Sequence, residues 1–325
     1  MTRRRPSRRG VALIATLAAI TLLGVLALAS ARVARARLVG ARRVLGVHAA
    51  ALAATRTLDS ALAHSRAADW APLPIGAERA VPSARTEPLV LRRLQSRLFR
   101  LDVAAQRGDA IAPTRHAASL LVRADAPRLD RGAPLVAGAS VVIASDFRID
   151  ARPAGAACDG DVATPLVLAA DSAAVRWEDP AAAEPVRELP ALRAPEAFDR
   201  EVARLRTAAE LTLADAAHYA PTSDSARAVF ADGDLTLGPG TGAGVLVAMG
   251  RLTIVGPLRF RGSILAMGGV TTGGPGIELA GTLVSMGTAR LSGGVLRYDP
   301  CDAESAAVSA ARLHPLGRWS RATLW

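Results

Sequence analysis

Between Arg9 and Arg32 the chain runs for 22 residues without a charge, "GVALIATLAAITLLGVLALASA". About 20 apolar residues suffice for a helix to cross a bilayer. The pattern then changes without a break. In "RVARARLVGARRVLGVHAAALAATRTLDSALAHSR" apolar residues alternate with polar ones at helical spacing. Leu38, Leu45 and Leu52 recur every seventh residue, and Val44, Ala51 and Leu58 form a neighbouring stripe. No proline falls between Pro6 and Pro72. One continuous helix is therefore expected from Val11 to about Arg66, roughly 80 Å long at 1.5 Å per residue. Its first half is apolar all round and its second half is amphipathic.

The periodicity changes beyond this stem. "DWAPLPIGAERAVPSARTEP" reads as a linker, from its prolines and lost period. "LVLRRLQSRLFRLDVAAQRG" and "RHAASLLVRADA" read as strands, and "APLVAGASVVIASDFRIDARPAG" as a hairpin. Residues 178–195 form a Pro/Ala/Glu-rich loop. "PEAFDREVARLRTAAELTLADAAHYAP" reads as a helix with Phe198, Val202, Leu205, Ala209 and Leu213 on one face, opened by Pro195 and ended by Pro221.

The last third carries a repeat. Glycine falls at 238, 244, 250, 256, 262, 268 and 274, and after one inserted residue at 281, 287 and 293. An aliphatic residue follows two places after most of them, among them Leu246, Leu252, Leu258, Ile264 and Leu283. Three hexads make one turn of a three-sided β-solenoid, in which glycine permits the corners and the aliphatics stack inward about 4.8 Å apart. About four turns are expected in 226–296. Met249, Met267 and Met286 keep one place in this register, in "GVLVAMG", "GSILAMG" and "GTLVSMG". Alternation puts Leu246, Ala248, Ile264, Ala266, Leu283 and Ser285 inside. Val247, Met249, Leu265, Met267, Val284 and Met286 then form an outer apolar strip. Such a strip is a contact surface, covered either by the chain's own stem, head or C-terminal helix or by another subunit; a bend at the Met-Gly corner would instead break the alternation and make the methionines core filler.

The fold class expected is α+β, in six parts. These are a basic leader (1–10), the stem helix (11–66), an antiparallel strand-rich head (67–185), a loop-and-helix insertion (186–222), the Gly-rich solenoid (223–299) and a tail with a short helix (300–325).

Charge sharpens the picture of the N-terminus. The net charge is +11, with 40 basic residues, every one an arginine. Residues 1–58 hold eleven of these and no acid, leaving 29 Arg against 29 acids in the rest. The excess belongs to the leader and stem, and no basic stripe with stacking aromatics comes later, so nucleic acid is not an expected partner. The leader arginines place the N-terminus on the cytoplasmic side, although five more at 32–43 weaken that argument.

"SRRG" followed by "VALIATLAAITLLGVLALASARVARARL" resembles the PilX-type minor pilins of type IV pili, and more distantly the K-type minor pseudopilins of type II secretion. The likeness covers about 55 residues. It implies a prepilin leader cut between Gly10 and Val11 by a prepilin peptidase. It also implies a single-pass anchor in the bacterial inner membrane with the bulk of the chain periplasmic, and assembly with other pilin subunits and the pilus machinery. Most pilins carry Glu at mature position five; here that place is Ala15, which fits a minor subunit. Two other readings stand beside this one: an uncleaved, membrane-anchored periplasmic scaffold, and a polymerising solenoid like the bactofilins, which the Gly-rich region resembles in rung length.

Little points to catalysis. A chain without lysine has no P-loop Lys, Schiff-base Lys or Ser-Lys dyad, and no G-x-S-x-G elbow is present. His48, His64, His116, His218 and His314 lack metal-ligand spacing. Asp232, Asp234 and Glu278 are the carboxylates among the repeats, at positions that suit turns or a solvated face. No enzymatic activity, cofactor, metal or small-molecule substrate is expected. Cys158 and Cys301 lie beyond the membrane segment, where an oxidising periplasm allows them to pair.

Overall fold

The computed structural model of the chain describes residues 8–82, 87–107, 114–127, 129, 132–150, 165–183, 185–298 and 300–324. A single helix, α1, runs from Arg8 to His64, 57 residues without a break. A short helix, α2 (Ala67–Trp70), comes after it. Four antiparallel strands are next: β1 (Glu78–Val81), β2 (Leu89–Gln95), β3 (Leu98–Arg107) and β4 (Thr114–Asp125). The fifth strand of this sheet is the C-terminal one, Arg312–Leu324, which pairs antiparallel with β4 along its whole length.

Alternation builds the head. Leu89, Leu91, Phe99, Leu101, Val103, Leu120 and Val122 point to one face and are buried. That face packs on Ala53, Ala54 and Leu58 of α1, and Trp70 of α2 with Ala307 and Val308 joins the same core. Small residues on the helix let the sheet approach closely. At Gly46 a Cβ would lie 2.8 Å from Thr114 Oγ1.

Inserted between β4 and the C-terminal strand is a stack of parallel strands. Gly240–Ala248, Leu258–Ala266 and Ile277–Ser285 pair in parallel register, Leu246 against Ile264 and Ile264 against Leu283. Leu252–Val255 and Val270–Gly273 do the same on another side. Each turn of the coil thus advances by one strand spacing, and three sides arise because each long strand bends at a glycine. Gly244, Gly262 and Gly281 form one such corner column, with φ of +116°, +131° and +132°. A Cβ at Gly262 would stand 2.1 Å from the carbonyl oxygen of Gly244, so neighbouring turns meet there backbone to backbone.

The coil is larger than its glycine repeat, and its chain order is discontinuous. The expected hairpin does not form in 133–150. Leu135–Ala137, Val141–Ile143 and Arg148–Asp150 pair in parallel with 283–285, 289–291 and 295–297, adding a turn beyond the C-terminal end of the repeat. Val167–Ala169 and Val175–Trp177 stack on that turn in their own right. The chain then returns along the side of the coil through α3 (Asp199–Ala208) and restarts at the far end. The expected 195–221 helix therefore stops at Ala208. Leu211–Leu213 and Ala217–Tyr219 are strands paired with 229–231 and 235–237. A free parallel edge outweighs the local helical pattern, and Ala216 breaks it at φ +55°.

The expected boundaries change accordingly. The head is the end of α1 with 67–125 and 312–324, not 67–185. The coil takes in strands from 135–150 and 165–188 as well as 211–297, rather than starting at 223. The tail holds the expected short helix, α4 (Pro300–Ser309), and then a 13-residue strand of the head sheet.

Candidate assembly surface

The chain leaves most of its stem uncovered. From Leu13 to Leu45 α1 projects free of the head, and Leu13, Ile14, Leu17, Ile20, Leu23, Leu26 and Leu28 are all more than half exposed. An 18-residue window of this helix has a mean hydropathy of 2.4, and none of it is buried within the protein. By length and composition this is the one helix among the described residues able to cross a membrane. The hydroxyls of Thr16, Thr21 and Ser30 bond back to the carbonyls of Leu13, Ala18 and Ala27 at 3.0, 2.9 and 2.9 Å. Each of these hydroxyl protons is thus satisfied within the helix rather than by water.

The heptad stripe faces away from the head. Leu38, Leu45 and Leu52 are 53, 68 and 56 % exposed, whereas Ala50, Ala54 and Leu58 are fully buried against the sheet. Turned 100° per residue, the two sets occupy nearly opposite sides of α1. Ala34 and Ala41 join the leucines in a 3–4 alternation, the spacing of a helix–helix seam. The stripe read from the sequence as one packing face is thus split: Leu58 anchors the head, and the leucines at 38, 45 and 52 are left for something else.

Gly10 and Val11 lie in the first turn of α1, continuous with the rest of the helix. Ala15 is exposed near that end, and no carboxylate occurs along α1 before Asp59. Asp59 pairs with Arg318 of the C-terminal strand, locking stem to head.

Deeper in the head, Glu87 is buried and bonded to Arg107, with the Thr57 hydroxyl of α1 at 3.3 Å. Burial pushes its pKa up, but the hydrogen bond and charge of Arg107, with Thr57, outweigh this and hold it below the ordinary value. Arg93 is buried under the end of α2. Its guanidinium donates to the carbonyls of Ala71 and Leu73 at 2.9 and 2.8 Å and stands 5.5 Å from the Phe99 ring centre. Burial draws its pKa down, opposed by the charge of Glu304.

The outer strip of the coil is occupied by the protein itself. Val247, Leu265 and Val284 are buried, and Met249, Met267 and Met286 partly so, in one cluster with Phe198, Val202 and Leu205 around α3, Ala306 of α4 and Ala310 just after it. The inward set is as alternation requires: Leu246, Ala248, Ile264, Ala266 and Leu283 fill the coil's interior. The strip is therefore an internal seam and not a surface for another subunit. The helix that crosses the three strands of the strip is α4, the short C-terminal helix expected from the sequence, with α3 packed beside it on 222–231.

On another side of the coil lies an open cleft of about 380 Å³. Its rim includes Arg261 and Arg297, and its Glu278 pairs with Arg259 at 3.3 Å. No cluster of three metal-ligating side chains occurs among the described residues. Cys158 lies outside the described residues, and Cys301 falls in the first turn of α4.

No protein-family model matches the chain. No curated protein matches it either. Among solved structures it is similar to an ice-binding protein domain (DUF3494) from Shewanella frigidimarina, at 12 % identity over 54 % of this chain and 99 % of that one, TM-score 0.27. It is also similar to the competence-associated pilin ComZ from Thermus thermophilus, at 11 % identity over 77 % of this chain and 88 % of that one, TM-score 0.24. Both superpose loosely, and neither likeness bears on what this chain does.

Proposed function

We propose that the chain is a pilin-like structural subunit, a PilX-type minor component of a type IV pilus or related export filament. The observation that carries this reading is the division of α1. Its end is built into the head, while Leu13 to Leu45 and the stripe of Leu38, Leu45 and Leu52 are bare. Exposed apolar helix of this extent is unstable in water and calls for a bilayer first and neighbouring stems afterwards. In this reading a prepilin peptidase cuts between Gly10 and Val11, the stem sits in the inner membrane, and head and coil stand on the periplasmic side. The stem passes from lipid to the stems of other pilin subunits during assembly, and the protein works by packing rather than by catalysis.

The mass of the purified protein tests processing: a mature chain beginning at Val11 supports the reading, and one beginning at Met1 contradicts it. Disulfide trapping with cysteine placed at Leu45 tests assembly, with crosslinks between stems expected in cells. The alternative, an uncleaved anchored scaffold, is favoured by one feature: Ala15 offers no carboxylate to a neighbouring amino terminus. Met1-started protein that fails to crosslink would establish it.

A further inference from the structure

The second cluster of arginines belongs neither to the apolar segment nor to the head, and its position along α1 gives it a role of its own. Arg32, Arg35, Arg37, Arg42 and Arg43 are all exposed, in the stretch between the apolar segment and the first residue the head buries, Gly46. If Gly10 to Ser30 fills the hydrocarbon, about 30 Å of helix, then Gly46 stands about 24 Å beyond its edge. The head therefore does not rest on the membrane, and a length of bare basic helix separates the two.

The helical rise sorts the arginines. Arg32, Arg35 and Arg37 lie roughly 3, 7 and 10 Å past the hydrocarbon edge, within or at the margin of a headgroup layer about 5–8 Å deep per leaflet. Arg42 and Arg43 lie roughly 18 and 20 Å out, beyond the phosphates. Arg32 and Arg35 neighbour one another on one side of the helix, one turn apart, and Arg37 projects from another side. Guanidinium groups offer paired donors that match phosphate oxygens, and their stems can lie along the apolar helix below.

We infer that Arg32, Arg35 and Arg37 form a collar that binds the phosphates of anionic phospholipids in the leaflet facing the head. The inference rests on the anchored reading of α1 and adds a lipid specificity to it. The collar fixes the depth at which the helix sits in the bilayer. It also sets a charge-dependent step in leaving the membrane, because the phosphate contacts must be given up when the stem enters a filament.

The test uses the full-length protein in vesicles of mixed phosphatidylcholine and phosphatidylglycerol. Spin-labelled lipids report the preference of the protein's surface for one headgroup over the other. The leader contributes equally in every variant. Replacing the collar (R32Q/R35Q/R37Q) is expected to lower the preference for phosphatidylglycerol at least about threefold, while R42Q/R43Q leaves it unchanged. Equal losses in the two variants, or no loss in the first, overturn the collar. Wild-type preference abolished by inorganic phosphate at constant ionic strength overturns it in favour of a free-anion site. Failure of the wild type to remain in vesicles after an alkaline wash is a separate result and overturns the anchored reading itself.

Discussion

Replacing Gly262 by alanine tests the corner on which the coil depends. Its φ of +131° lies where an L side chain is strained, at a cost of about 1–3 kcal/mol. The added Cβ would meet the Gly244 carbonyl oxygen at 2.1 Å and the Ala306 Cβ at 2.7 Å. The first neighbour is backbone and cannot rotate away, so the turns must separate by about 1 Å locally to reach ordinary contact. That weakens the ladder bonds on either side of the corner, about 1 kcal/mol each for two bonds. The second contact pushes on α4, which the coil shares with the head. The sum is about 3–5 kcal/mol. Gly40 is the control: it has an ordinary helical conformation, and a methyl group added there would meet nothing within 4 Å. Gly40→Ala should stabilise by about 0.5–1 kcal/mol through backbone entropy. Thermal unfolding of the detergent-solubilised chain, followed by far-ultraviolet circular dichroism, reads both. At about 2–4 °C per kcal/mol, Gly262→Ala should lower the midpoint of the β signal by about 6 °C or more. A loss under about 1 kcal/mol, or the same loss at Gly40, would refute the claim that the glycine period exists to let backbones meet at the corners.

Other consequences can be measured on the same protein. Leu265→Asp buries an unpaired carboxylate beneath α4 and should cost more than about 4 kcal/mol, measured by denaturant unfolding; a surface strip awaiting another subunit would show almost no loss. Leu58→Ala should cost about 2–5 kcal/mol, whereas Leu52→Ala should stay within about 0.5 kcal/mol yet weaken stem-to-stem crosslinking, and equal stability effects would argue against the two-faced stem. Glu87 has a folded pKa below its unfolded one, so its contribution to stability is present above about pH 4.3 and is lost as pH falls through the depressed value. Glu87→Gln should flatten that acid limb in a pH series of unfolding midpoints, and an unchanged limb would assign it to other carboxylates. Arg97 holds Glu304 of α4 by paired bonds of 2.6 and 2.8 Å, so Arg97→Gln should loosen the joint between head and coil by about 1–3 kcal/mol, seen as faster hydrogen exchange in α4.

Where one strong local signal decides the structure, the sequence is a sufficient guide. An uncharged run of 22 residues and a proline-free continuation leave α1 little choice, and the alternation in 89–124 spells out the head strands. The coil is legible where glycine marks its corners, at 244, 262 and 281. It is illegible in the strands of 135–150, 165–188 and 211–219, because those turns are held by pairing with residues more than a hundred positions away or by an edge no local pattern reveals. Leu211-Thr212-Leu213 continues a helical stripe in sequence and becomes a strand only because Val229–Ala231 offers it a partner. The C-terminal strand is hidden for a related reason. "RLHPLGRWSRATL" has no clean alternation, and its register comes from β4. At the assembly surface, periodicity locates the stripe of Leu38, Leu45 and Leu52 but not its direction. Which side of an amphipathic helix receives a sheet depends on where alanines permit close approach, and Ala50, Ala53 and Ala54 settle that in three dimensions.

Asp125 and Arg312 are register partners across the last two strands of the head. Everything between them, the entire coil, therefore departs from and returns to one spot, as a loop would at the tip of a hairpin. A short turn could bridge that spot in its place. A different insert there is sterically open to such a scaffold, so the coil could be exchanged in a single in-frame step while α1 and its sheet keep their packing.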